Sequence, residues 1–297
     1  RLPDLRLTPA PAPPRAPAAA PFIVGAPRSG TTMLRLMLDA HPDLAMPPET
    51  YFAVAARDAW ARAREAGAER PAAAAAAVGA VTGHRRWPGM GIDGGVFAAR
   101  VDAVAAKGPG DVLRCFFELY AESRGKPRWG DKTPNYAKRI RMIHRMLPEA
   151  RFIHLIRDGR AWARSVVDLW IGPDTIEECA REWVRWIDRA RRQAAQLPGT
   201  AAGRGGGGGG FYTELRYEDL VREPRVSLSR VSAFLELPFD ERMLRFHEHA
   251  GERERGAQLD TSRRGDPIDP DVRDALGANL TKPPDPALID RWRTELS

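Results

Sequence analysis

A short segment near the start of the chain, PFIVGAPRSGTTMLRLMLDAHP (residues 21–42), constrains the fold most strongly. Its apolar run Phe22–Val24 ends at Gly25 and predicts a buried parallel strand. A loop of small residues continues to Gly30, and a helix with a broad apolar face begins near Thr31. A loop that leads into a helix N-terminus directs several backbone N–H groups at one point, which stabilises an anion there. The segment therefore predicts an α/β fold with an anion site after its first strand.

This loop differs from the loops that bind nucleoside triphosphates. In the pattern G-x-x-x-x-G-K-[ST], a lysine follows the second glycine. Gly25 and Gly30 fit the pattern, but Thr31 occupies the lysine position, and the cation is Arg28 within the loop. We find no apolar strand that ends in a dedicated metal carboxylate, so the sequence predicts no metal site. From the glycine spacing alone, an ordinary β–turn–α unit is an equal alternative; the anion-site geometry and Arg28 favour a functional loop.

Composition restricts the class of protein and of partner. The chain has 297 residues, of which 43% are hydrophobic and 29% charged, with a formal net charge of +7. Such a charge suits a polyanionic ligand, nucleic acid or an acidic surface. Because the sequence shows no nucleic-acid-binding motif, we predict no nucleic-acid partner. Cys115 and Cys179 lie in apolar helical patterns and are predicted to be buried free thiols.

The sequence carries no run of apolar residues long enough for a membrane span, so we predict none. No signal peptide is visible, and we expect a cytoplasmic protein. The chain begins at Arg1 and not at a methionine, which leaves a targeting segment ahead of it open.

We expect a Pro/Ala-rich arm at residues 1–20 and one domain at 21–297. Further strands are predicted at 151–156 and in FYTELR, and a flexible Gly-rich connector at 203–210, to whose glycine run we assign no function. The predicted helices cover 53–80, 96–106, 111–124, 135–147, 160–170, 174–197 and 224–236. Residues 85–95 and 128–134 are predicted as loops, and 250–284 as irregular. Strands separated by helices favour a parallel sheet covered on both faces.

A second strand–helix segment, RFIHLIRDGRAWARSV, predicts a second anion contact. Arg157 follows the strand directly, at the carboxyl edge where ligands bind in open α/β sheets. Ser165 lies eight residues later, so a guanidinium and a hydroxyl could hold one compact dianion. The alternatives are an ion pair of Arg157 with Asp158 and a hydrogen bond of Ser165 to its own helix backbone.

Three segments together resemble a known family. PRSGTT, RDGRAWARS and RYEDLVREP are similar to the sulfotransferases that use 3′-phosphoadenosine 5′-phosphosulfate (PAPS). The run GAPRSGTTMLRLMLDAHP with the later ET most resembles tyrosylprotein sulfotransferases and their bacterial relatives. The resemblance extends from about residue 21 to the C-terminus. It implies a P-loop-like parallel sheet flanked by helices on both faces, in a single metal-independent sulfotransferase domain, with adenosine 3′,5′-bisphosphate as product.

The resemblance also implies which residues hold PAPS. The loop that takes the 5′-phosphosulfate corresponds to Arg28, Ser29, Gly30, Thr31 and Thr32. Arg157 and Ser165 match the residues that hold the 3′-phosphate. Tyr217 matches a tyrosine that touches the nucleotide, with a core tyrosine as the alternative, and Lys282 resembles a lysine of a late nucleotide loop. An arginine found four residues beyond the helix serine in the tyrosylprotein group is replaced here by Leu169, so part of the nucleotide contacts must differ.

For the chemistry, the resemblance assigns the general base to Glu49 in MPPETYF and places Lys132, in WGDKTP, on the transferring group. The alternatives are that Glu49 caps the next helix and that Lys132 is a surface residue paired with Asp131. Cytosolic small-molecule sulfotransferases use a histidine base, for which His84 is the candidate here. The predicted catalytic set consists of Glu49, Lys132 and Arg28.

The acceptor is not specified by the sequence. We expect a hydroxyl of a small molecule or glycan, with tyrosylprotein sulfotransferase-like modification as the alternative. A P-loop-type small-molecule kinase is less favoured, because the loop lysine and a magnesium carboxylate are missing. The oligomeric state stays open.

Overall fold

The computed structural model describes residues 18–167, 173–198, 210–250 and 281–295. Within these ranges the strands are β1 (Ala20–Gly25), β2 (Leu44–Ala45), β3 (Arg128–Trp129), β4 (Asp131–Lys132), β5 (Ala150–Ile156) and β6 (Tyr212–Arg216). The helices are α1 (Thr31–Asp39), α2 (Phe52–Glu65), α3 (Arg70–Thr82), α4 (Gly94–Ala103), α5 (Pro109–Ser123), α6 (Ile140–Met146), α7 (Gly159–Arg164), α8 (Ile176–Ala194), α9 (Tyr217–Arg222), α10 (Pro224–Phe234) and α11 (Trp292–Glu295). Short 3₁₀ turns cover 87–90, 134–138, 241–243, 246–249 and 286–288.

The central sheet is parallel and has the strand order β4-β1-β5-β6. Its register pairs Phe22 with Asp131 on one side and with Phe152 on the other, and Phe152 with Tyr212. Since all four strands run in the same direction, their carboxyl ends lie at one edge. The loops that follow β1, β5 and β6 therefore meet at that edge, where ligands bind in open α/β sheets.

Side chains alternate between the two faces of this sheet, and each face is covered by helices. Phe22 and Phe152 belong to a buried cluster with residues of α2, α3, α5 and α8. Ile23 and Ile153 belong to a second cluster with residues of α1, α9 and α10. The predicted fold class, a parallel sheet with helices on both faces, is confirmed. Burying each such side chain contributes about 1.5–3 kcal/mol.

The predicted helices over 53–80 and 135–147 are each divided in the structure. Between α2 and α3 the chain turns at Gly67, whose φ is 83°, and α3 then starts with a proline in its first turn. The second prediction covers a 3₁₀ turn and α6, separated by Arg139 at φ −138°. Apolar periodicity continued across both breaks, which is why the sequence pattern did not reveal them.

Two further boundaries differ from prediction. Residues 128–134, predicted as a loop, contain β3 and β4, and β4 is an edge strand of the central sheet beside β1. The helix predicted over 160–170 ends at Arg164, where the backbone changes to tighter bonds from Ser165 to Trp162 and from Val166 to Ala163.

Cys115 and Cys179 are buried and unpaired, as predicted. Among the described residues, every helix is too short or too polar to cross a lipid bilayer. The predictions for the arm up to residue 17, for Leu169, for connector residues 203–209 and for 251–280 lie outside the described residues.

Candidate active site

The loop after β1 is closely covered by residues from the far end of the sheet. Gly30 has φ 88°, and a Cβ placed there would lie 2.4 Å from the ring of Tyr217, so only glycine fits. The loop backbone is also anchored: the indole of Trp162 donates to the carbonyl of Pro27 at 2.6 Å, and Arg157 donates to the carbonyl of Arg28 at 3.2 Å. The two segments predicted to bind anions are thus in direct contact.

Arg28 and Arg157 form what we call the donor-side pair. Both side chains are half-buried, and the Nε atom of each is buried without a hydrogen-bond partner in the described part of the chain. The pKa of Arg28 is lowered by burial and by the charge of Arg157, and burial also lowers the pKa of Arg157. The guanidinium of Arg157 lies 5.0 Å from the centre of the Tyr217 ring. Two neighbouring cations with unused buried donors are the electrostatic signature of a site for a bound anion.

The ion pair of Arg157 with Asp158 that we considered as an alternative is not what the structure shows. The carboxylate of Asp158 instead receives hydrogen bonds from the backbone and side chain of Arg160. The backbone N–H of Asp158 donates to Glu218 at 2.8 Å. Arg157 is thereby left available at the carboxyl end of β5.

The remaining predicted nucleotide contacts occupy different environments. Ser29 and Thr31 are buried within the loop and the first turn of α1. The hydroxyl of Ser165 donates to the carbonyl of Trp162 at 2.8 Å, which is the local bond that we set against a phosphate role. Lys282 is exposed and directly follows the segment 251–280 that the structure does not describe.

Glu49, Lys132 and Arg86 form what we call the base-side cluster. The Nζ atom of Lys132 lies 2.9 Å from Oε1 of Glu49 and 3.2 Å from the hydroxyl of Thr32. A guanidinium nitrogen of Arg86 lies 3.2 Å from Oε2 of Glu49. Lys132 therefore connects Thr32 to the carboxylate. Thr32 lies at the end of the segment 25–32, which we call the anion loop. Its side chain is only 5% exposed, so it is not a surface lysine.

The charges of this cluster offset one another. Burial raises the pKa of Glu49, but the charges of Lys132 and Arg86, together with hydrogen bonds from Lys132 and Tyr51, lower it by more, so the net shift is downward. Burial lowers the pKa of Lys132 despite its contact with Glu49. Because both carboxylate oxygens contact cations, Glu49 does not act as a cap for α2. The site thus holds an ionised carboxylate next to an ammonium group.

Thr50 and Asp131 fix the backbone beside this cluster. The Thr50 hydroxyl donates to Oδ1 of Asp131 at 2.7 Å, and the backbone N–H of Thr50 donates to the hydroxyl of Thr133 at 3.2 Å. Asp131 is fully buried, which raises the pKa of its carboxyl to about 7. These bonds attach the segment that carries Glu49 to β4, which carries Lys132.

His84, the other candidate base, contacts different partners. Its Nδ1 accepts the backbone N–H of Arg86 at 3.3 Å, and its ring stacks against Tyr51 at 6.5 Å between centres. Burial and the charges of neighbouring arginines lower its pKa. Arg86 itself was missed by the sequence reasoning, because the segment HRRW lies in a loop and no spacing rule links it to Glu49.

Comparisons with known proteins show the family to which the chain belongs. Residues 21–241 match the sequence profile described as the Sulfotransferase family. Nodulation protein NoeE of Sinorhizobium fredii is 31% identical over 232 residues, covering 72% of this chain and 49% of that protein. Protein-tyrosine sulfotransferase A of Caenorhabditis elegans is 25% identical over 241 residues, covering 77% of this chain and 53% of that protein. The chain thus spans about half the length of these two relatives.

A solved structure shows a similar fold. The sulfotransferase domain from the Synechococcus PCC 7002 olefin synthase superposes with a TM-score of 0.57 at 26% identity, covering 94% of this chain and 88% of that one. The family match includes the anion loop, both members of the donor-side pair and the whole base-side cluster. The chain belongs to the sulfotransferase family.

Proposed function

We propose that this protein transfers a sulfuryl group from PAPS to a hydroxyl of a small-molecule or glycan acceptor. The observation that carries the proposal is the position of Lys132, whose ammonium contacts both Thr32 of the anion loop and the carboxylate of Glu49. One cation therefore adjoins the site for the donor anion and the only carboxylate that we assign as a base. Membership of the sulfotransferase family supports the reaction class.

The donor-side pair suits a ligand with two separate anionic groups. In this proposal Arg28 and the backbone of residues 29–32 hold the 5′-phosphosulfate. Arg157 binds the 3′-phosphate through its planar fork. Ser165 exchanges its local bond to Trp162 for a bond to that phosphate. Tyr217, which contacts Gly30 and lies against Arg157, borders the nucleotide, and Lys282 is retained as a further nucleotide contact.

The transfer is an in-line displacement at sulfur. The bond between sulfur and the bridging phosphate oxygen breaks as a bond to the acceptor oxygen forms, and charge spreads over the peripheral oxygens. Lys132 stabilises the oxygen that leaves with adenosine 3′,5′-bisphosphate, and Arg28 stabilises the transferring group. Glu49 accepts the acceptor proton, a contribution worth about 10²–10⁴-fold in rate.

A tyrosine hydroxyl of a protein is the second acceptor class. The similarity to protein-tyrosine sulfotransferase A of C. elegans supports this acceptor class. The identity is 25%, and the match covers about half of that protein. Both classes place a hydroxyl next to Glu49, so the donor chemistry is common to them.

Thermal unfolding with nucleotides tests the donor, and sulfuryl transfer tests the reaction. We expect adenosine 3′,5′-bisphosphate without magnesium to raise the melting temperature, since a ligand at about 100 times its Kd stabilises by about 2.7 kcal/mol. Adenosine 5′-monophosphate, which lacks the 3′-phosphate, should stabilise less, and ATP with magnesium should not stabilise. Incubation with ³⁵S-labelled PAPS and a panel of phenols, sugars and tyrosine peptides should label at least one acceptor. A larger shift with ATP and magnesium, without sulfuryl transfer, would contradict the proposal.

A further inference from the structure

Glu49 is held between two cations from different parts of the chain. Lys132, on β4, contacts Oε1 at 2.9 Å, and Arg86, in the turn between α3 and α4, contacts Oε2 at 3.2 Å. In the proposed function, Lys132 has a second task, because it must stabilise the leaving oxygen of the donor. As charge develops on that oxygen, the hold of Lys132 on Glu49 weakens. Arg86 is the cation that can stay with the carboxylate throughout the transfer.

Arg86 is fixed by its surroundings and is not a free surface arginine. Its side chain is 13% exposed, and its guanidinium lies 5.3 Å from the centre of the Tyr51 ring. Tyr51 is itself held, because its hydroxyl accepts a hydrogen bond from Asn135 at 2.9 Å. Tyr51 also has φ 60°, a left-handed backbone that is unfavourable for a residue other than glycine. Such strain two residues after Glu49 is typical of a functional site.

The donors of Arg86 are not fully used by the protein. Its Nε atom is buried and has no hydrogen-bond partner within the described ranges. An unsatisfied buried donor is destabilising, so stability alone does not explain the residue. A buried arginine with this cost, aimed at the carboxylate of the site, indicates a role in the chemistry.

We propose that Arg86 is a positioning residue, which keeps the Glu49 carboxylate oriented, and ionised until it takes the acceptor proton, as Lys132 is drawn to the leaving oxygen. The proposal deepens the proposed function and rests on Glu49 being the general base. It assigns to Arg86, in the turn between α3 and α4, a part in the reaction that the sequence did not suggest.

The charges around Glu49 determine what removal of Arg86 should do. The groups that face or adjoin it are Lys132 and Asp131 on β4, Arg86 after α3, and Tyr51 at the start of α2. Burial raises the pKa of Glu49, and the two cations and a hydrogen bond with Tyr51 lower it. Without Arg86, burial is opposed by Lys132 and by the hydrogen bond with Tyr51 alone, so the pKa of Glu49 should rise.

The test compares Arg86→Gln and Arg86→Lys with the wild type, and uses Arg85→Gln, at the exposed neighbouring arginine, as the control. Glu49 is titrated by NMR in ¹³C-glutamate-labelled protein, with its signal assigned through Glu49→Gln. We expect Arg86→Gln to raise the Glu49 pKa by about one unit or more, Arg86→Lys to raise it less, and Arg85→Gln to leave it unchanged. The acidic limb of the profile of kcat/KM against pH, which reports the groups of the free enzyme, should move upward with it. Affinity for adenosine 3′,5′-bisphosphate should not change.

An unchanged Glu49 pKa and pH profile in folded Arg86→Gln would overturn the inference. An equal loss of nucleotide affinity and kcat would also overturn it, since that pattern indicates a structural role. The NMR titration needs no turnover, so the two proposals can fail separately. A shifted Glu49 pKa in a protein that transfers no sulfuryl group supports the coupling of Arg86 to Glu49 and contradicts the proposed function.

Discussion

The donor-side pair and the base-side cluster are built from the same kinds of residue but are electrostatically opposite. Arg28 and Arg157 lie together, their buried Nε atoms have no hydrogen-bond partner among the residues that the structure describes, and burial lowers the pKa of each. In the base-side cluster, the carboxylate of Glu49 is in contact with Lys132 and with Arg86. The base-side cluster contains its own anion, the carboxylate of Glu49, and we predict that the donor-side pair receives one from the ligand.

This difference separates binding from chemistry. A site with unpaired cations gains most of its free energy when an anionic ligand arrives, so changes there should appear in affinity. A cluster in which the charges already offset one another gains little from the donor, so changes there should appear in rate. The predictions below test that division in order of expected effect.

The largest effect is expected from Glu49→Gln, which keeps the shape of the side chain and removes its basicity. We expect kcat to fall by about 10²-fold or more, because proton transfer by a positioned base contributes about 10²–10⁴-fold. Affinity for adenosine 3′,5′-bisphosphate should be unchanged, as measured by calorimetry. His84→Ala is the matched comparison. If the His84 variant is inactive and Glu49→Gln turns over normally, the base is the histidine and the division fails.

The next effect is expected at the donor-side pair. Arg157→Ala should weaken binding of adenosine 3′,5′-bisphosphate by about 10–100-fold, since a hydrogen bond to a charged group is worth about 1.5–3 kcal/mol. Ser165→Ala removes one neutral donor and should weaken binding less. Arg230→Ala, at an exposed position of α10, controls for the loss of one positive charge. Native affinity in a folded Arg157 variant would remove that residue from the nucleotide site.

The smallest effect is on stability and comes from Asp131. Its carboxyl has a pKa near 7 when folded and an ordinary value of 3.8, so between these pH values the folded protein holds a proton that the unfolded chain releases. The stability from this group is therefore present at low pH and falls as pH rises towards 7. The Asp131→Asn side chain cannot ionise. The melting temperature of this variant minus that of the wild type should therefore be at least about 2 °C larger at pH 8 than at pH 5. Asp188→Asn, at an exposed position of α8, should show no such change; parallel pH curves for Asp131→Asn and wild type would contradict the expectation.

The parts of the fold that depend on local pattern were predictable. The apolar run Phe22–Val24, the glycines of the loop and the strand before Arg157 each specify their own conformation, and the structure places them as the pattern indicated. The alternation of strands and helices predicted the parallel sheet, and the resemblance to sulfotransferases agreed with it. By contrast, β4 is only two residues long and polar, so no periodicity identifies it, although it is the strand that carries Lys132.

Contacts within the site depend on tertiary packing, so the sequence predicted only some of them. Arg157 and Arg28 were predicted separately, as members of two anion-binding segments, and they are in contact. Arg86 was not predicted, because it reaches Glu49 across 37 residues and two intervening helices, with no register to relate them. The hydroxyl of Ser165 is occupied by Trp162 in this structure, so its role in nucleotide binding stays a prediction.

The contact between Gly30 and Tyr217 has a consequence for the order in which the protein folds. One residue lies near the beginning of the domain and the other follows the last strand of the central sheet, and β1 pairs only with strands more than a hundred residues away. Parallel pairings across such separations form late and slowly. During synthesis, the anion loop therefore gains its covering ring only after β6 has emerged from the ribosome and docked. For most of its translation, a growing chain therefore carries this loop without the ring of Tyr217 against Gly30.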